Sequence, residues 1–155
     1  MSVVSVDPRR KCGSCDACCW ALGVDPVQKA AHETCRFKAD GGGCGIYKNR
    51  PHECRAYSCA WLDGETVQSP LECGVIFTTV RHVPPEMGEA LGRLGLKRRL
   101  ISAHDARPGG MDDLEGRAAI TAWVDRGYAV MRMRGDKREL IVPQAASAAL
   151  KAVAG

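Results

Sequence analysis

The sequence predicts an α+β protein, with a loop-rich, cysteine-organised N-terminal lobe packed on a short mixed helix/strand C-terminal half. Three observations carry that expectation. Eight of the nine cysteines fall between Cys12 and Cys59. The stretch Asp40-Gly41-Gly42-Gly43-Cys44-Gly45 favours no regular element. Beyond Cys73 the cysteines stop, and strand-type and helix-type apolar patterns alternate. The change in composition divides the chain into a cysteine-rich region, residues 1–65, and a small α+β region, residues 66–155, expected together as one compact domain. A chain of 155 residues is the length of one domain. It buries roughly 68–70% of its unfolded surface, so it needs no covalent staples.

In chain order, residues 1–11 read as a short, mobile lead-in. Asp25 to Thr34 is expected as a short helix, with Asp25 as N-cap and Pro26 at the first helical position. Cys54 to Trp61 reads as another helical turn or two with its sulfurs on one side. Val75 to Val80 is β-branched and aromatic, hence a strand, and Pro84-Pro85 ends it. From Glu86 to Leu94, Met87, Ala90, Leu91 and Leu94 follow a helical period weakened by Gly88 and Gly92. Arg107 to Gly110 is a loop. Asp112 or Asp113 can cap a stronger helix through Arg126, with Leu114, Ala118, Ile120, Trp123 and Val124 as its apolar face and Gly127 as its stop. Tyr128 to Met133 and Glu139 to Val142 form a hairpin across Gly135-Asp136. Gln144 to Val153, alanine-rich and behind Pro143, closes the chain as a helix.

The net charge of +4 permits anionic partners without requiring them. No run approaches the ~18 apolar residues of a membrane span. Val3, Val4 and Val6 precede Asp7, Pro8 and three basic residues, the reverse order of a secretory signal. The expectation is therefore a cytoplasmic protein, whose thiols stay reduced and whose clustered cysteines mean metal or redox chemistry. Nine cysteines also cannot all pair.

The spacing Cys12-x2-Cys15-x2-Cys18 is that of a loop wrapped round a metal centre. Cys18 and Cys19 point about 100° apart on a helix and to opposite faces of an extended chain, so they do not readily take two corners of one tetrahedron. Either each serves a different centre, or one bridges or stays free. With Cys35, Cys44, Cys54 and Cys59 the set matches two tetrahedral thiolate sites, or a zinc site plus an iron–sulfur cluster. Thiolates suit zinc and iron alike, so spacing leaves the metal open between zinc, iron and an iron–sulfur cluster. His32 and His52 could each replace a cysteine. Cys73, opening a strand, is surplus and reads as a small buried hydrophobe. Arg50-Pro51 presents a cation beside the thiolates, and Trp20 and Trp61 read as packing residues near them. His82 and His104 read as ordinary surface or strand residues.

The run Cys-Gly-Ser-Cys-Asp-Ala-Cys-Cys from Cys12, then Cys35, then the stretch from Cys44 to Cys59 resembles the CxxCxxCC (YkgJ-like) family of zinc- or iron-chelating cysteine-cluster proteins, which includes the flagellin lysine N-methylases. Tyr47, Arg50, Pro51 and Arg55 fit the family's second motif. The resemblance covers residues 12–61 and implies that Cys12, Cys15, Cys18, Cys19, Cys35, Cys44, Cys54 and Cys59 are the metal ligands, with Cys73 outside the pattern. Nothing in residues 71–155 resembles a methyl-donor fold, so the resemblance implies metal and not methyl transfer.

The chain has no P-loop, no G-x-G-x-x-G and no G-x-S-x-G, and Asp112, Asp113 and Glu115 read as helix-start acids. No catalytic machinery is visible. The functional expectation is a small metal-binding protein whose partners are metal ions. One alternative is an iron–sulfur electron carrier or an accessory subunit of a protein-modifying enzyme, which implies a protein partner. Another is a zinc-ribbon-like nucleic-acid module drawing on Lys97-Arg98-Arg99. Three basic residues usually make a solvated face, so neither nucleic acid nor membrane is the expected partner.

Overall fold

A computed structural model describes residues 10–65 and 67–154. The lead-in expected over residues 1–11 lies outside them as far as residue 9. The N-terminal lobe is mostly turns. Helix α1 (Ala17–Ala21) buries Ala17 and Ala21, one helical repeat apart, and α2 (His52–Ala56) carries Cys54. The helix expected from Asp25 to Thr34 does not form. Only a 3-10 turn, Asp25–Val27, is present, and Gln28 then takes a left-handed conformation (φ 52°) that folds the chain back into the bridge Val24–Lys29. Closing that bridge over the cysteines overrides local helix propensity. The second expected turn is also shorter than read, because α2 stops at Ala56 and the chain is already extended at Tyr57.

Helix α3 (Pro70–Cys73) opens on a capping-box pair: the Ser69 N–H and hydroxyl both donate to Glu72 Oε2, at 2.9 and 2.8 Å. It leads through left-handed Gly74 (φ 72°) into β1 (Val75–Thr79). Helix α4 (Pro85–Arg93) follows, then β2 (Leu100–Asp105), α5 (Leu114–Asp125), the hairpin β3 (Ala129–Arg134) and β4 (Lys137–Ile141), and α6 (Gln144–Ala154). The strands form one mixed sheet in the order β1-β2-β3-β4. β1 and β2 are antiparallel, with Ile76 opposite His104. β2 and β3 are parallel, a pairing that needs a crossover, which α5 supplies. The fold is α+β.

Each face of the sheet has a different cover. Val75, Phe77, Ile101, Ala103 and Val130 point to the α5 face, where they pack with Ile120 and fully buried Trp123. Leu100 and Ala129, on the other face, meet Leu91 of α4 and Ala146 of α6. On that same face Ile76 meets Ala17, Ala21 and Cys59, with Trp20, Tyr57 and Trp61 around them. The cysteine lobe thus meets the sheet through this cluster and, at its end, through Ala60, which is buried in the α5-side core and donates its N–H to Phe77 O at 2.7 Å.

The α5 face differs from the periodicity reading. Asp113 is the N-cap, accepting from Gly116 N at 2.9 Å, and Gly127 stops the helix (φ 89°) as expected. The buried stripe, however, is Gly116, Ala119, Ile120 and Trp123, while Leu114 is 71% exposed and Ala118 faces out. A Cβ at Gly116 would collide with the Gly110 carbonyl and come within 3.1 Å of Val75. Only glycine permits that approach, and it rotates the inward face by about a third of a turn.

Candidate metal centre

Two adjoining cavities lie between the lobe's turns. The larger, about 370 Å³, is walled by Cys12, Cys15, Cys18, Cys19, Cys35, Cys44 and Cys54. The smaller, about 40 Å³, is walled by Cys12, Cys15, Cys18, Cys54 and Cys59. All eight cysteines expected at the site therefore line one space or the other. Cys73 lines neither. It is fully buried in the α5-side core, and its thiol donates to Val75 O at 3.3 Å.

Backbone geometry brings the distant sulfurs together. Cys15 N–H donates to Cys12 O at 2.6 Å, turning the first loop. Cys35 N–H donates to Cys19 O at 2.9 Å, and the bridge between Lys38 and Cys44 folds the second loop on itself. Gly43, left-handed at φ 82°, lies so close to the Gly13 carbonyl that a side chain there would strike it. That contact places the Cys44 loop beside the Cys12 loop. Lys38 pairs with Asp16 at 3.1 Å across the same gap.

The electrostatics divide the sulfurs. Burial pushes the Cys15 thiol up, and the neighbouring sulfurs of Cys12 and Cys59 push it further. Burial also raises Cys59, partly opposed by backbone N–H groups of Leu62 and Trp61, with Cys12 again nearby. Cys54 is raised by burial and by a different trio, Cys19, Cys44 and Cys35. Between the groups, the adjacent Cys18 and Cys19 sulfurs compete for one proton. That competition pulls Cys19 down to about 7 and holds Cys18 protonated well above the usual thiol range.

Two cations complete the walls. Lys29 is buried, and its Nζ donates to the carbonyls of Trp20 (3.2 Å), Ala30 (3.1 Å) and Leu22. Burial lowers its pKa, while the sulfurs of Cys35 and Cys19 work the other way. Arg50 lies over the Tyr47 ring, 3.7 Å from its centroid, and its Nε is buried with no hydrogen-bond partner. Tyr57 lines both cavities and ties the lobe to β1 through its hydroxyl contact with Thr78 Oγ1 at 2.8 Å. Burial pushes its phenol up.

His32 and His52 are exposed and line neither cavity; His32 lies tilted against Trp20, with ring centroids 4.9 Å apart. Trp61 packs beneath Arg10. Lys97, Arg98 and Arg99 are exposed, with Lys97 over Tyr128 and Arg99 3.5 Å from Glu65. The Lys29 clamp carried no sequence signal, since a lysine three residues past a proline reads as an ordinary surface position.

Among the described residues no group of three or more His, Cys, Asp or Glu side chains is arranged to hold a metal ion as it stands. The donor set nevertheless suits a thiophilic metal. Eight sulfurs, two adjacent cations and one guanidinium N–H without an acceptor surround the two spaces. Among the described residues no helix is long and apolar enough to cross a membrane. No family model, no curated protein and no solved structure matches this chain.

Proposed function

We propose that the chain is a small metal-binding protein of the CxxCxxCC type, which uses Cys12, Cys15, Cys18 and Cys59 as one thiolate set and Cys19, Cys35, Cys44 and Cys54 as a second. The observation that carries this is the convergence of eight sulfurs, drawn from four separate turns, on two adjoining cavities while the ninth is excluded. The division follows the walls. Cys59 touches only the smaller space, and Cys19, Cys35 and Cys44 touch only the larger. Cys54 joins the second set through its three sulfur neighbours. When bound, zinc or iron would hold the turns together, because in small thiolate sites metal-binding free energy is largely folding free energy. The chain's own residues shape the site: Lys29 clamps the Trp20–Ala30 turn, and Gly43 permits the loop contact that brings Cys44 in.

Metal analysis of cysteine variants tests the division. Cys18→Ser and Cys19→Ser should each lower metal content. Cys18→Ser combined with Cys59→Ser should lose no more than Cys18→Ser alone, because both lie in one set. Cys18→Ser combined with Cys35→Ser should lose nearly all of it. Equal losses in the two double variants would sink the two-set assignment. Cys73→Ser should leave metal content unchanged, and a drop would make Cys73 a ligand.

One observation favours an iron–sulfur version of the same reading. The four sulfurs of the second set border a cavity of about 370 Å³, room for a polynuclear core rather than a lone zinc ion. Such a protein would carry electrons or serve a modifying enzyme as a subunit. Anaerobically purified protein should then be brown and release sulfide on acidification. Colourless, zinc-loaded material would eliminate this version.

A further inference from the structure

We propose that Arg50 is the shared counter-cation of the two thiolate sets, its buried Nε–H donated to a sulfur where the sets meet. The inference rests on the metal-binding reading above. Its starting point is the local sequence. Pro51 bars the preceding residue from helical geometry, so Arg50 is extended (ψ 147°) and ends the 3-10 turn Tyr47–Asn49. The guanidinium lies against the Tyr47 ring, a platform that holds a planar cation in place.

From there Arg50 reaches the walls of both cavities, and among the described residues no other cationic side chain lines both. Lys29 lines only the larger space, and its ammonium is already given to three carbonyls. Arg55, although in the same motif, is exposed. A buried N–H without an acceptor is costly, and native folds rarely leave one. Arg50 Nε is such a group, on a side chain that lines both sulfur-walled cavities. Four thiolates outweigh the charge of one divalent ion, so each set needs positive charge and N–H donors nearby. One arginine between two such sets serves both. A solvated arginine would serve neither.

The test is a Co²⁺ titration of the full chain, followed by its thiolate charge-transfer absorption. It is repeated in a Cys59→Ser background, which leaves only the second set whole, and in a Cys35→Ser background, which leaves only the first. Arg50→Gln should weaken Co²⁺ binding by about ten- to a hundredfold in both backgrounds, the range for removing an outer-shell partner. Arg50→Lys should recover part of the loss, because it restores charge but not the planar donor. Tyr47→Leu keeps the guanidinium and removes its platform. It should weaken both sets several-fold, and it stands in as the test if Arg50→Gln does not fold. Unchanged binding in either background overturns the shared role. No charge-transfer band in the unmodified chain overturns the metal reading and this one with it, whereas a band unmoved by Arg50→Gln overturns this one alone.

Discussion

On the metal-binding reading, a chelator is expected to unfold residues 12–59 while the sheet keeps its structure. Helices α1 and α2 have five residues each, far below the ~12–15 at which an isolated helix becomes marginal in water. The lobe's apolar contact with the sheet is the cluster round Ala17, Ala21, Cys59 and Ile76, with Ala60 beside it, and it must offset the entropy of ordering some fifty residues. Structural zinc in small peptides contributes about 10–16 kcal/mol at neutral pH, enough to tip that balance. Hydrogen exchange reads the outcome by segment. Amides of Cys19, Cys35 and Gly45, whose backbone bonds close the site, should lose protection on chelation. Those of Phe77, Ile101 and Val130 should retain it. Equal protection of the lobe with and without metal would mean that the thiols do not hold it folded.

Trp123→Ala should destabilise the protein by about 3–5 kcal/mol without touching the metal content. Trp123 is 1% exposed, with its ring 5.9 Å from Phe77 and edge-on to Tyr128 at 5.1 Å. Removing the indole empties the space between α5 and the sheet, and a chain of this size should lose on the order of 10 °C in Tm. Trp123→Phe should cost clearly less, because the indole Nε1 has no hydrogen-bond partner to lose. The metal should stay, since Trp123 packs between α5 and the sheet and lines neither cysteine-walled cavity. A destabilisation under about 1 kcal/mol would mean that the α5 face is not the main core. Loss of metal would mean that the two faces are coupled.

Local signals were enough for most of the C-terminal half. Val75–Thr79, the Gly135-Asp136 hairpin, the Asp113 cap and the helix behind Pro143 all stand where residue pattern and turn chemistry put them. β2 was within reach of local pattern but passed over, since Ile101 and Ala103 alternate with Ser102 and His104 as in a half-buried strand. Helix α3 was legible and overlooked: Ser69-Pro70-Leu71-Glu72 is a capping-box pattern.

By itself the sequence determined the α+β class, and it singled out eight clustered cysteines, with Cys73 apart, as candidate ligands. Those follow from residue type and short-range spacing, which the chain carries wherever it folds. Only the tertiary structure decided which sulfurs are neighbours, that Lys29 is a buried clamp and that Arg50 stands between the two cavities. Such facts depend on how the loops close on one another, set by close approaches such as Gly43 on Gly13, which no local pattern records.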